Sequence, residues 1–131
     1  MLPTIIGVAF IVTDNDHFLV IRRNPINDAD LGAIAIPGGH VEENESPEDA
    51  CRRELYEELE LECDSPKFIW RAHRTTEQEE QTVLYYHCKD WRGTPVCNEG
   101  QGFFWLRFEE LDTLDFDIDR QAIEALSSRT R

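Results

Sequence analysis

The sequence has 131 residues, 40% of them hydrophobic, which is enough for one compact domain over residues 1–131 and too few for two. Its formal net charge of −14 argues against non-specific binding of a polynucleotide, because a polyanion is repelled where no basic patch offsets the field. A phosphorylated small molecule would, for the same reason, need a cation as a bridge.

In chain order, Thr4 to Thr13 and Phe18 to Arg23 are β-branched-rich runs separated by Asp14-Asn15-Asp16, a pattern that predicts a hairpin. Ile5 to Val12 has no basic leader and is broken by Gly7, so it reads as a buried strand and not as a signal peptide or membrane span. Asn24 to Leu31 reads as a polar connection, and Ala33 to Ile36 as a short strand ended by Pro37-Gly38-Gly39. Ser46-Pro47-Glu48-Asp49 then signals a helix start: Ser46 as N-cap, Pro47 at the first helical position, acids in the first turn. This helix is expected over Pro47 to Leu59. Lys67 to Arg74 and Thr82 to Trp91 read as strands joined by the acidic stretch Glu77 to Glu80. Gly102 to Arg107 is a further strand, and Glu109 to Leu111 one helical turn. Asp119 to Ser127 closes as a short helix with Ala122, Ile123 and Leu126 at helical spacing. Strands, one long helix, more strands and a last helix imply an α/β fold with a mixed sheet between helical layers.

The first helix is also a chemical surface. Cys51, Leu55 and Leu59, at i, i+4 and i+8, form an apolar stripe for packing on the sheet. Glu54, Glu57 and Glu58 occupy the neighbouring arc, at the edge where a cleft would open. Three carboxylates held together repel unless a cation sits among them, and hard oxygen ligands at this density suit Mg²⁺ or Mn²⁺. Gly38-Gly39 lets the backbone approach such a metal with no Cβ in the way. The blander reading is a solvated face carrying i, i+4 pairs such as Arg53 with Glu57. Against it stand the preceding glycines, the capped helix start and Glu45.

The four cysteines Cys51, Cys63, Cys88 and Cys97 form no C-x-x-C pair, and His17, His40, His73 and His87 are scattered, so no zinc site is expected. A reducing, cytoplasmic compartment fits this cysteine usage.

Gly39, five residues, Glu45, seven residues, Arg53-Glu54-Leu55, one residue, Glu57-Glu58, one residue, Glu60-Leu61: this run resembles the Nudix box, the signature of hydrolases that cut pyrophosphate bonds in nucleoside diphosphates linked to another group. The resemblance covers nearly the whole chain and is nearest to the MutT-type branch, which hydrolyses nucleoside triphosphates to monophosphates and pyrophosphate. It implies a Nudix fold, an α/β/α sandwich. It also implies that Glu54, Glu57, Glu58 and the carbonyl of Gly38 bind divalent ions, joined by Glu99 from Glu99-Gly100-Gln101. Glu54 or Glu99 would take a proton from the attacking water, and Arg53 would orient the glutamates. Arg23 of the Arg22-Arg23 pair looks like a phosphate contact, with an exposed strand-end arginine as the alternative. Gly39 and Glu45 would sit beside the substrate, Glu45 supporting the loop or a water behind the metal.

Some positions depart from the family pattern. The glycine expected after E-E-x is Glu60, which at a left-handed helix end would cost about 1 kcal/mol, so an altered helix exit is expected with the metal face intact. Asn44 replaces another glycine, and asparagine tolerates positive φ. In the MutT-type branch an asparagine after a Phe-Pro-Pro-Ala run reads an oxidised guanine. The matching stretch here is Phe116-Asp117-Ile118-Asp119-Arg120, so guanine-specific recognition does not carry over. Asp119 or Arg120 could contact another base, or Asp119 could cap a surface helix. An arginine frequent between the branch's middle strands falls on Glu79-Glu80. Trp70, Phe103, Phe104 and Trp105 could stack on a base or belong to the core. Two alternatives stand beside the triphosphate reading: the same chemistry on a nucleoside diphosphate sugar or dinucleotide, and a non-enzymatic nucleotide-binding domain.

Overall fold

The computed structural model describes residues 1–27 and 31–129. Its centre is strand β1 (Thr4–Asp14), whose pleat sends Val8, Phe10 and Val12 into one buried cluster and Ala9 and Ile11 into another. Side chains alternate along a strand, so an apolar run this long must be covered on both faces. The turn through Asn15, at φ 55°, returns the chain as β2 (His17–Arg22). β1 also pairs in parallel with β6 (Glu80–Cys88), which pairs antiparallel with β5 (Lys67–Thr75). On the other side β2 carries β3 (Ile34–Ala35) and β7 (Gly102–Arg107). With β4 (Gly38–His40) beside β1, the result is a mixed seven-stranded sheet of order β3-β2-β1-β6-β5, β7 lying off that path against β2.

Helix α1 (Pro47–Leu59) covers one face, burying Ala50, Cys51, Leu55 and Leu59 against Val8, Phe10 and Val12. Each of the two leucines contributes about 2 kcal/mol of apolar transfer. Helix α2 (Asp117–Arg129) covers the other face through Ala122, Ile123 and Leu126. This is the expected α/β arrangement of a mixed sheet between helices, and both expected apolar stripes are the ones buried. Trp70 and Phe104 pack on the α2 side and Phe103 and Trp105 on the α1 side, which is the core reading of those aromatics.

Ser46 caps α1 as expected, its Oγ accepting from Asp49 N at 3.1 Å. The altered exit expected at Glu60 is not observed. Glu60 takes the left-handed conformation at φ 56°, ψ 34°, and its N–H donates to Tyr56 O at 2.9 Å, as a glycine there would. The residue carries its Cβ strain because the segment through Val96 and Asn98 is hydrogen-bonded to the helix end. Asn44 has φ 64°, as its side chain tolerates.

Other boundaries moved. Pro37-Gly38-Gly39 does not simply end a strand, since Gly38 and Gly39 open β4; a Cβ on Gly38 would lie 2.1 Å from Val8 O, so the missing side chain permits strand contact. β6 runs over Glu80–Cys88 and not Thr82 to Trp91, because Thr76 closes the turn by bonding Glu79 through both its N–H and its hydroxyl. A 3₁₀ helix spans Phe108–Thr113. α2 starts at Asp117, two residues before the expected position, which puts Asp119 inside its first turn. Of the connection Asn24 to Leu31, Asp28, Ala29 and Asp30 lie outside the described residues; the rest has no regular structure. No helix among the described residues is long and apolar enough to cross a membrane.

Candidate active site

Glu54 and Glu58 project from α1, and Glu99 from the segment between β6 and β7; one oxygen of each lies within 4.8 Å of the others. Glu58 is 3% exposed, and its Oε2 is buried with no hydrogen-bond partner. Burial pushes the Glu58 carboxyl up to about 9, and the charges of Glu54 and Glu99 push in the same direction. A buried acceptor left unpaired beside two more carboxylates is costly, and a cation removes both costs at once. Gly39 completes the cradle: a Cβ there would sit 2.1 Å from the Glu54 carboxyl carbon. The donor set is all hard oxygen, so the residues fit a divalent ion of the Mg²⁺ class. Glu57 stands apart from the trio, about half exposed with Oε2 on Arg53 Nη1 at 3.1 Å.

Arg53 organises the acids. Its Nε and Nη2 donate to the two oxygens of Glu45 at 2.8 and 2.9 Å, while Nη1 reaches Glu54 Oε1 at 2.9 Å. Nη2 also donates to His40 O at 2.9 Å, joining α1 to β4. Glu45 in turn accepts from Glu42 N at 3.0 Å. The Arg53 guanidinium, and then the Glu42 N–H, hold the Glu45 carboxyl down at about 2, so this fork stays ionised. Arg53 occupies Oε1 of Glu54 and leaves Oε2 facing Gly39.

A cavity of about 390 Å³ is lined by Gly38, Gly39, Glu58 and Glu99 and also by Arg23, Arg74, Phe116 and Asp119. Because α1 and α2 cover opposite faces of the sheet, this cavity reaches from the acidic cluster of one helix to the first turn of the other. Arg23 lines it with its guanidinium 5.6 Å from the centre of the Phe116 ring, whereas Arg22 turns to Gly32 O at 3.0 Å.

Asp119 is 5% exposed and does not cap a surface helix. Tyr85 Oη donates to its Oδ1 at 2.5 Å and Ile36 N to its Oδ2 at 3.1 Å. Burial pushes its carboxyl up to about 6, against the opposing pull of those two donors. Arg120 turns away, bonding Leu114 O and the Asp117 carboxylate, and does not line the cavity. None of Trp70, Phe103, Phe104 and Trp105 lines it either.

Arg74 and Phe116 are among the lining residues to which the sequence assigns no role in the site. Arg74 lies 4.9 Å from the Phe116 ring centre, and its Nε is buried without a hydrogen-bond partner. Its signal was available: beyond the irregularity at Phe68/Trp70, alternation along β5 puts Arg74 on the side of buried Ala72, where a charge needs a reason. Phe116 had no such signal, since one aromatic in an acidic connection is compatible with any role.

The NUDIX domain family model matches residues 3–126. The chain is 29% identical over 125 residues, 95% of each sequence, to the 8-oxo-dGTP diphosphatase of Escherichia coli strain K12. It is 28% identical to the CTP pyrophosphohydrolase of the same organism, over 80% of this chain and 78% of that one. In three dimensions it resembles the solution structure of the E. coli ORF135 protein, with a TM-score of 0.86 and 27% identity over 98% of this chain and 92% of that one. A match over nearly the whole length, on a fold that brings the box glutamates Glu54 and Glu58 together with Glu99, means that the chain belongs to the Nudix family, as a hydrolase of its MutT-type branch.

Proposed function

We propose that this hydrolase is a Mg²⁺-dependent pyrophosphohydrolase, with Mn²⁺ able to substitute, that cleaves a nucleoside triphosphate to the monophosphate and pyrophosphate. The observation that carries this reading is the cluster of Glu54, Glu58 and Glu99, with the unpaired Oε2 of Glu58, two of whose members, Glu58 and Glu99, line the same cavity as Arg23, Arg74 and Asp119. The two relatives named above both carry names for triphosphate substrates, which supports the same choice.

Glu54, Glu58, Glu99 and the carbonyl of Gly38 would hold the ion, with Glu57 one turn away supplying a further carboxylate. A divalent ion there supplies charge neutralisation for phosphate oxygens and a lowered pKa for bound water. Arg53 keeps Glu54 in one rotamer, so its Oε2 or a Glu99 oxygen can accept the proton of the attacking water. Arg23 provides a guanidinium for the phosphate chain, and Gly39 and Glu45 hold the wall behind it. Asp119 and Arg74 meet the base, an acceptor beside a donor, which suits an edge with an adjacent amino group and ring acceptor. The strongly acidic surface disfavours polynucleotides, and the four free cysteines suit a reducing cytoplasm.

The test is a hydrolysis screen in Mg²⁺ over nucleoside triphosphates, nucleotide sugars and dinucleotides, with products separated by chromatography. A monophosphate plus pyrophosphate from one triphosphate is expected. Turnover confined to a nucleotide sugar or dinucleotide, yielding two monophosphate-bearing products, would overturn the triphosphate assignment. Turnover of no substrate would favour a binding domain.

A further inference from the structure

A helix ends with four carbonyls that have no partner within it. In α1 each of these has a donor: Tyr56 O accepts from Glu60 N at 2.9 Å, Glu57 O from Asn98 Nδ2 at 3.0 Å, Glu58 O from Asn98 N at 2.9 Å, and Leu59 O from Val96 N at 3.0 Å. Asn98 supplies two of the four, and its Nδ2 also donates to Glu60 Oε2 at 2.9 Å. The next residue is Glu99, whose carboxylate meets those of Glu54 and Glu58. Glu58 therefore gives its side chain to the cluster and its carbonyl to the residue preceding Glu99. The separation of the Glu58 and Glu99 carboxylates depends on that backbone bond, and the Asn98 amide keeps it in register.

We propose that Asn98, locked by the carboxylate of Glu60, is the positioning residue that fixes Glu99 against Glu54 and Glu58, so that the strained Glu60 is one half of a clamp on the metal site. A glycine at 60 would remove the left-handed strain and would leave Asn98 Nδ2 without its side-chain acceptor. The proposal rests on reading the glutamate trio as a divalent-ion site. A residue that merely capped the helix would change stability and leave ion binding alone. A residue that acted only through its charge would be mimicked by any neutral substitution.

The experiment is calorimetric titration of the substrate-free protein with Mn²⁺, alongside thermal unfolding in EDTA, for the unsubstituted chain and for Glu60→Gly, Glu60→Gln and Asn98→Ala. Glu60→Gln keeps an acceptor for Asn98 and loses the charge, while Glu60→Gly loses both. The clamp predicts that Glu60→Gly unfolds at the same or a higher temperature yet binds Mn²⁺ more weakly than Glu60→Gln. Asn98→Ala should weaken Mn²⁺ binding by roughly tenfold, the scale seen when a residue supporting a ligand is removed. Equal Mn²⁺ affinity of Glu60→Gly and Glu60→Gln would overturn the clamp, and this pair decides the matter even if Asn98→Ala does not fold. No Mn²⁺ binding by the unsubstituted chain would overturn the metal reading, and the clamp with it.

Discussion

Glu58 sits where a carboxylate is least welcome, 3% exposed with one oxygen unpaired, and its carboxyl is pushed up to about 9 by burial and by Glu54 and Glu99. In the ion-free protein near neutral pH it is therefore protonated, so glutamine is close to an isostere of the state already present. Glu58→Gln should leave the melting temperature in EDTA nearly unchanged and lower kcat by orders of magnitude; a variant that turned over at the original rate would remove Glu58 from the ion site. Asp119 makes a separate prediction about pH. Its carboxyl lies at about 6 against 3.8 for an unperturbed aspartate, mainly through burial, so folding favours the protonated form. The stabilisation from that preference is complete below 3.8 and lost as pH rises through 6, and it amounts to roughly 3 kcal/mol at most. Asparagine cannot ionise, and its amide can still accept from Ile36 N while donating to Tyr85 Oη. Relative to the unsubstituted chain, Asp119→Asn should therefore gain stability between about pH 4 and pH 7, read from denaturant midpoints. Depressed carboxylates such as Glu45 are common to both proteins and cancel in the difference. Parallel stability curves would mean that Asp119 is not held above its ordinary range.

Strand β4 and helix α1 face each other across the acidic cluster, and the two glycines of the strand do different jobs. A Cβ on Gly38 would meet backbone, Val8 O at 2.1 Å, which can yield only if the β1–β4 pairing shifts. A Cβ on Gly39 would meet the end of a flexible side chain, the Glu54 carboxyl group at 2.1 Å. Gly38→Ala should accordingly cost about 2 kcal/mol or more of stability. Gly39→Ala should fold and melt normally while losing turnover, because Glu54 must swing away from Glu58. Denaturant unfolding and kcat measured on both variants check this, and equal loss of stability in the two would contradict it. The same pair explains what could be read from the sequence. α1 was legible end to end because its signals are local: Ser46, Pro47, the first-turn acids and a stripe at helical spacing. β4 was not, because Pro-Gly-Gly is turn chemistry by itself and becomes a strand only when β1 lies close enough to use the missing side chains. The exit at Glu60 was misjudged for a related reason, since the bonds that hold it come from Val96 and Asn98, far along the chain. Asp119 and Arg74 belong to this class too, their surroundings being set by Tyr85, Ile36 and Phe116 from three other segments.

For the molecule as a whole, a formal charge of −14 on 131 residues means that any cation lessens self-repulsion in the folded state, so a stabilising effect of Mg²⁺ is not by itself evidence for a site. The distinction lies in saturation and in dependence on one residue. An ion bound only by the folded cluster adds RT ln(1 + [L]/Kd), about 2.7 kcal/mol at a hundred times Kd, whereas general screening follows ionic strength. Millimolar Mg²⁺ should therefore raise the melting temperature beyond NaCl of equal ionic strength, and the excess should level off with concentration. In Glu58→Gln the excess should vanish while the ionic-strength response remains, since the substitution changes the net charge little at neutral pH if Glu58 is already protonated. A Mg²⁺ response identical to that of NaCl would reduce the acidic cluster to one more patch of an acidic surface. An excess that survived Glu58→Gln would move the ion to other carboxylates, Glu57 first among them, because it is exposed one turn away and tied to the same Arg53.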